Sequence, residues 1–141
     1  MTDPRGANSF LLGPHEDEIA TFVHDNTIVY NAAVVGGSAQ VGFAVSIESS
    51  NVVTLAGSGE NVLGKLLNVD SDGFCSVQHH GWMTLPGGTS ATLTAGLKIV
   101  GDLGGVSTTD EGYIQAVSTE DTVSRGMIID AGTATAVVVL L

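Results

Sequence analysis

The chain has 141 residues and a formal net charge of −11, with fifteen acids set against only four cations, Arg5, Lys65, Lys98 and Arg125. Neutralising phosphates takes clustered Lys and Arg, so this charge argues against a direct nucleic-acid interface and against a basic patch for an anionic membrane. The length suits a single domain able to bury roughly two-thirds of its unfolded surface, and an apolar fraction of 43% with 19 glycines fits a folded, turn-rich all-β chain.

Residues 1–20 mix Pro4, Gly6, Gly13 and Pro14 with Glu16, Asp17 and Glu18 and show no helical or strand periodicity, which reads as an extended N-terminal arm. One apolar island, Phe10, Leu11 and Leu12, interrupts it. That island has two readings: an anchor on a neighbouring subunit, or a segment folded back on its own core. No basic, apolar leader is present at this end and no apolar run approaches a membrane span, so the expected location is a cytoplasm-like space.

From Ala20 onward, with a single β domain expected over residues 21–141, the text breaks into short β-rich runs separated by Gly, Asn, Asp and Ser. They are ATFVHD, TIVYNAAVV, QVGFAVSI, NVVTLAG, NVLGKLLNV, GFCSVQHHGWMTL, GLKIVG, GYIQAV, RGMIID and ATAVVVLL. Strands at such spacing predict one β domain, a small barrel, a β-tulip-like fold or a sandwich. No amphipathic helix is predicted beyond a short one near SGENVL, because Gly64 weakens the only other helical stretch. KLLNVDSDGFCS and LKIVGDLGGVS echo one another as two hairpins. The final AVVVLL is apolar on both faces, which requires burial or pairing on both sides.

Rare residues cluster in residues 64–88, GKLLNVDSDGFCSVQHHGWMTLPGG, which holds the single Cys and the single Trp. Asn68 to Gly73 follows the first half of a calcium loop, but position 12 is His79 instead of a bidentate Glu and no helices flank it. A hairpin turn is the better reading, with Asp70 and Asp72 bonding local amides and Gly73 at positive φ. His79 and His80 are adjacent and so face opposite ways on a regular strand. Cys75 with His79 makes only half a zinc site, and His15 and His24 supply no second half. Cys75 has no nearby base or cation to lower its pKa and reads as a small buried hydrophobe.

GSGEN at 57–61 and VGDLGG at 100–105 match neither phosphate-binding pattern and read as turns. The pairs Asp110-Glu111 and Glu120-Asp121 read as solvated loops. Neither a catalytic residue nor a cofactor is implied. A sole Trp in a small β domain is more often core, although Trp82 also suits a partner contact. A sugar-stacking site built from Trp82, Tyr113 or Tyr30 is the alternative from another class, and an aromatic content of 5% weighs against it.

The order VLGKLLNVDSDGFCSVQHHGWMTLPGG, TAGLKIVGDLGGVSTTDEG, SRGMIIDAGTATAVVVLL resembles the small capsid decoration (cement) proteins of tailed double-stranded DNA bacteriophages, and ATFVHDNTIVYNAAVV is similar to their opening. The likeness spans roughly residues 20–141 and lies in turn chemistry and strand spacing. It implies a non-enzymatic β domain on the outer surface of the virion capsid, made in the host cytoplasm and bound to the major capsid protein. It also implies a homo-oligomer, a trimer before other states, with residues 1–20 in the place of the arm such proteins use for contact. Phe10, Leu11, Leu12, His79, His80 and Trp82 are the candidate contact residues.

Overall fold

The computed structural model describes residues 18–89, 93–105, 110–117, 124–133 and 136–141. Phe10, Leu11 and Leu12, His15 and the Glu120-Asp121 pair lie outside them. The described residues form an all-β fold whose centre is a small closed barrel. Its strands are β1 (Glu18–His24), β2 (Ala44–Ser49), β3 (Val52–Leu55), β4 (Gly64–Val69) and β5 (Phe74–His80), in the order β1-β3-β2-β4-β5. The neighbours are antiparallel except β1 and β3, which close the barrel as a short parallel pair, Val23 with Val52 and His24 with Val53.

Closing five strands needs sharp local curvature, and register shifts at Glu48, Leu67 and His79 supply it by inserting one extra residue into a strand. Close backbone approach supplies the rest. A Cβ on Gly64 would stand 2.0 Å from the Gln78 carbonyl oxygen, so only glycine lets β4 lie against β5 there.

A second layer covers one side of the barrel. β6 (Trp82–Leu85), β9 (Met127–Thr133) and β10 (Ala136–Leu140) form a three-stranded sheet in the order β9-β10-β6, and β7 (Lys98–Asp102) pairs with β8 (Tyr113–Val117). The C-terminal β10 therefore has a partner on each side, as its apolar run requires.

Two apolar cores result. Ile28, Val45, Val53, Leu55, Leu66, Val69, Cys75 and Val77 fill the barrel. Ala44, Ala56, Val62, Met83, Leu85, Ile99, Ile114, Ile128 and Leu141 fill the space between barrel and second layer. Each fully buried Leu or Ile contributes about 1.5–3 kcal/mol. Consecutive residues serve different cores: Val45 points into the barrel and Ala44 outward into the second core, and Leu55 and Ala56 divide in the same way. The barrel wall is thus buried on both faces here, which is why β2 starts with three buried residues in a row.

Several sequence expectations change. β1 starts at Glu18, so residues 18–20 of the stretch read as an arm belong to the first strand. TIVYNAAVV forms no strand, because its backbone groups are taken by local partners. The Val29 N–H donates to the Gln40 side chain, the Ala33 N–H to the Asn31 side chain, and the Asn31 N–H to the Gly37 carbonyl. The segment becomes a loop containing a single 3-10 turn, Val35–Gly37. No helix forms over 58–63, where Ser58 and Gly59 make a turn and no regular element follows before β4. Within VGDLGG, Val100–Asp102 belong to β7. GFCSVQHHGWMTL is cut at Gly81, whose φ of +103° turns the chain out of the barrel and into the second layer. Of the two hairpins, β4–β5 is tight, whereas β7 meets β8 only across the long connection 103–112.

Candidate interaction surface

The turn that joins β4 to β5 is built as its residues dictate. The Asp70 N–H donates to the Phe74 carbonyl at 2.8 Å, the Phe74 N–H donates to the Asp72 carboxylate at 3.2 Å, and Gly73 sits at φ +93°. Asp70 contributes through its backbone and Asp72 through its side chain. Cys75 follows it, fully buried in the barrel, and burial with the nearby Asp70 charge pushes its thiol up to about 11. Among the described residues no group of three His, Cys, Asp or Glu comes together to hold a metal ion.

The bulge changes the reading of the two histidines. His80 pairs with Glu18 and Gln78 pairs with Ile19, so His79 is the extra residue and regular alternation fails at this point. His79 acts through its backbone: its carbonyl accepts from the Arg125 guanidinium at 2.7 Å. His80 is exposed at the barrel end where the chain turns at Gly81.

Arg125 went unremarked in the sequence beyond its charge. Its guanidinium also donates to the Leu63 carbonyl at 2.7 Å and the Val62 carbonyl at 3.2 Å, while its backbone exchanges two hydrogen bonds with Ile99. Burial lowers its pKa from the ordinary guanidinium value, and the group stays charged at every physiological pH. A single cation thereby ties β7, the segment before β4 and the β5 bulge together. The available signal was an Arg inside a β-rich run of a chain with few other cations. Beside it lies an open cleft of about 710 Å³ lined by Ser46, Ile47, Glu60 and Leu63 among others. Two of its polar groups engage each other, the Ser46 hydroxyl donating to the Glu60 carboxylate at 2.6 Å.

Trp82 is not core. It is 53% exposed on β6, whose alternation sends Met83 and Leu85 inward. The register places Trp82 opposite Leu140 and Leu140 opposite Met127, and Met127 is also exposed. Residues directly opposite in antiparallel strands share a face, so Trp82 and Met127 lie on the same face of the three-stranded sheet, two strands apart.

A second apolar area lies on the loop before β2, where Val29, Tyr30 and Val35 are exposed, Val35 at 95%. This loop borders the β4–β5 turn: Tyr30, Ala32 and Val34 line one shallow depression with Asp70, Ser71 and Asp72. Gln40 holds it in shape, accepting from the Val29 N–H at 2.8 Å and the Ser38 hydroxyl at 3.1 Å and donating to the Thr27 carbonyl. Thr27 in turn is fixed by Asp25 and Thr54. Sequence reading took these residues for a strand and so missed the area.

The three aromatic residues considered for sugar stacking do not assemble. Tyr30 is on the braced loop, Trp82 is on β6, and the Tyr113 ring packs on Phe43 with centroids 5.1 Å apart. No protein-family model matches this chain, and no curated protein matches it either.

Proposed function

We propose that this chain is a structural binding protein, a capsid decoration subunit that attaches to the outer surface of a major capsid protein lattice and reinforces it. The observation that carries the reading is the braced loop, which holds Val29, Tyr30 and Val35 in solvent on a preformed backbone. Apolar side chains presented together on an ordered loop favour contact with a protein surface, and preorganisation lowers the entropy lost on docking. The order of strands and turns that resembles decoration proteins supplies the partner. Repeated copies of that partner on a lattice would multiply a modest single-site affinity.

The test is co-sedimentation of the purified protein with expanded capsids that lack a decoration protein, followed by heating. Wild type is expected to pellet with the capsids and to raise their resistance to heat. Val35→Asp, which leaves the Gln40 bracing in place, is expected to weaken both effects. Absence of wild-type binding, or full binding by Val35→Asp, refutes the reading or its assigned surface, respectively.

A further inference from the structure

We propose that the open cleft beside Arg125 is a binding site for an apolar dipeptide with free termini, its carboxylate on Arg125, its ammonium group on Glu60 and its apolar body against Ile47 and Leu63. The site is separate from the braced loop and does not depend on the decoration reading. Its volume of about 710 Å³ falls in the range of preformed small-molecule sites.

The cation is fixed before any ligand arrives. Its hydrogen bonds to the Val62, Leu63 and His79 carbonyls use both Nη1 protons and one Nη2 proton. A guanidinium carries five N–H groups, so these bonds leave the Nε proton and one Nη2 proton over. Burial alone lowers the pKa of the group, with no carboxylate among the described residues acting on it. A partly buried charge without a counter-ion gains from an incoming carboxylate, which replaces lost hydration with charge-assisted hydrogen bonds.

The anion is fixed as well. The Glu60 carboxylate accepts from the Ser46 hydroxyl at 2.6 Å, and the Glu60 backbone is pinned by the Gly57 carbonyl at 3.1 Å and the Gly101 N–H at 2.8 Å. One hydroxyl leaves most of the acceptor capacity of a carboxylate open to an ammonium group. Ile47, 49% exposed, and the half-buried Leu63 supply the apolar wall. A ligand with a single charge would meet a like charge in this cleft, whereas a zwitterion satisfies both. Glu60 exerts no effect on Arg125, so the two are not in contact. A single amino acid carries both charges on one Cα, while the termini of an extended dipeptide stand about 7 Å apart.

The experiment titrates leucyl-leucine into the full, nitrogen-15-labelled chain and follows the backbone amides and the Arg125 Nε–H by NMR. Saturable shifts are expected at Asn61, Leu63 and the Arg125 Nε–H, with the weak, millimolar affinity of an open site. N-acetyl-leucyl-leucine lacks the ammonium group and leucyl-leucinamide lacks the carboxylate, and each is expected to bind about ten-fold more weakly, the worth of one charged hydrogen bond. The amide-capped ligand tests Arg125 without a substitution, since Arg125 also ties three segments of the fold together. Glu60→Gln keeps an acceptor for Ser46 and is expected to weaken leucyl-leucine but not its acetylated form. Lack of saturable shifts, shifts centred away from the cleft, or equal binding by either capped ligand would overturn the proposal. Capsid binding is not read in this experiment, so its outcome is separate from that of the decoration reading.

Discussion

The Gln78 side chain donates a 2.9 Å hydrogen bond to the backbone carbonyl of Trp82, bridging the corner at which the chain leaves the barrel for the second layer. Gln78 is 5% exposed and its amide also approaches the His80 carbonyl at 3.4 Å. One buried amide therefore braces both sides of Gly81 and fixes the strand that presents Trp82. Gln78→Leu removes this donor from the Trp82 carbonyl, at an expected cost of about 0.5–1.5 kcal/mol in urea unfolding. The Trp82 emission of the folded variant is expected to broaden as the corner loosens.

Arg125→Met removes donors from the carbonyls of Val62, Leu63 and His79 together. Hydrogen bonds to charged groups are worth about 1.5–3 kcal/mol each, and partial exposure and non-additivity bring the expected loss to roughly 2–4 kcal/mol. Arg125→Lys is expected to recover only part of it, because an ammonium lacks the planar fork that spans three acceptors. Chemical denaturation of the two variants side by side checks both the loss and the ranking.

Gly64→Ala pushes a methyl group against the Gln78 carbonyl of the neighbouring strand. Since the obstacle is backbone, relief requires β4 and β5 to separate, and the expected destabilisation is about 3 kcal/mol, at the upper end for single substitutions. Gly59→Ala makes a useful comparison, because nothing lies near its Cβ and only its positive φ is strained. Its expected melting-temperature loss is the smaller of the two.

Cys75, buried and with its thiol pushed up to about 11, is expected to resist Ellman's reagent at pH 8 in the native protein and to react fully in denaturant. Rapid modification of the folded chain would contradict its place in the barrel core.

Burial, followed by the negative charges of Glu60 and Asp25, raises the Glu111 carboxyl above its ordinary value. For a carboxylic acid whose folded pKa is raised, the unfolded chain ionises first. Stability is therefore lost as pH climbs from the ordinary value through the raised one, and the full cost is present at neutral pH. Glu111→Gln is expected to melt at a higher temperature than wild type at pH 7. The difference should vanish below the ordinary carboxylate range, where both states of Glu111 are protonated. Paired melting curves from about pH 3 to about pH 8 test the sign.

The all-β class, the β4–β5 turn and the burial of Cys75 were legible in the sequence because they follow from nearest-neighbour chemistry: Asp-x-Asp-Gly makes a turn, and alternation carries Cys75 inward. The double pairing of β10 was legible from the apolar run of AVVVLL. What was hidden depends on partners distant in the chain. The 29–35 loop reads as a strand until Gln40 takes the Val29 N–H, and the His79–His80 alternation fails through a bulge that only pairing with β1 reveals. Trp82 reads as core until pairing with β10 sets the strand register that leaves it exposed on β6. Gly64 looked like a weak point in a helix and proves to be a contact at which β4 lies against β5 with no room for a Cβ.

The wall shared by the two apolar cores has a thermodynamic consequence. Because Ala44 and Val45, or Leu55 and Ala56, cannot leave one core without disturbing the other, the barrel is not a module to which the second layer was added. Melting either side exposes the back of the other, so the domain is expected to unfold in one cooperative step, with circular dichroism and Trp82 fluorescence transitions coinciding. A chain divided at Gly81 should yield two fragments that fold only when mixed.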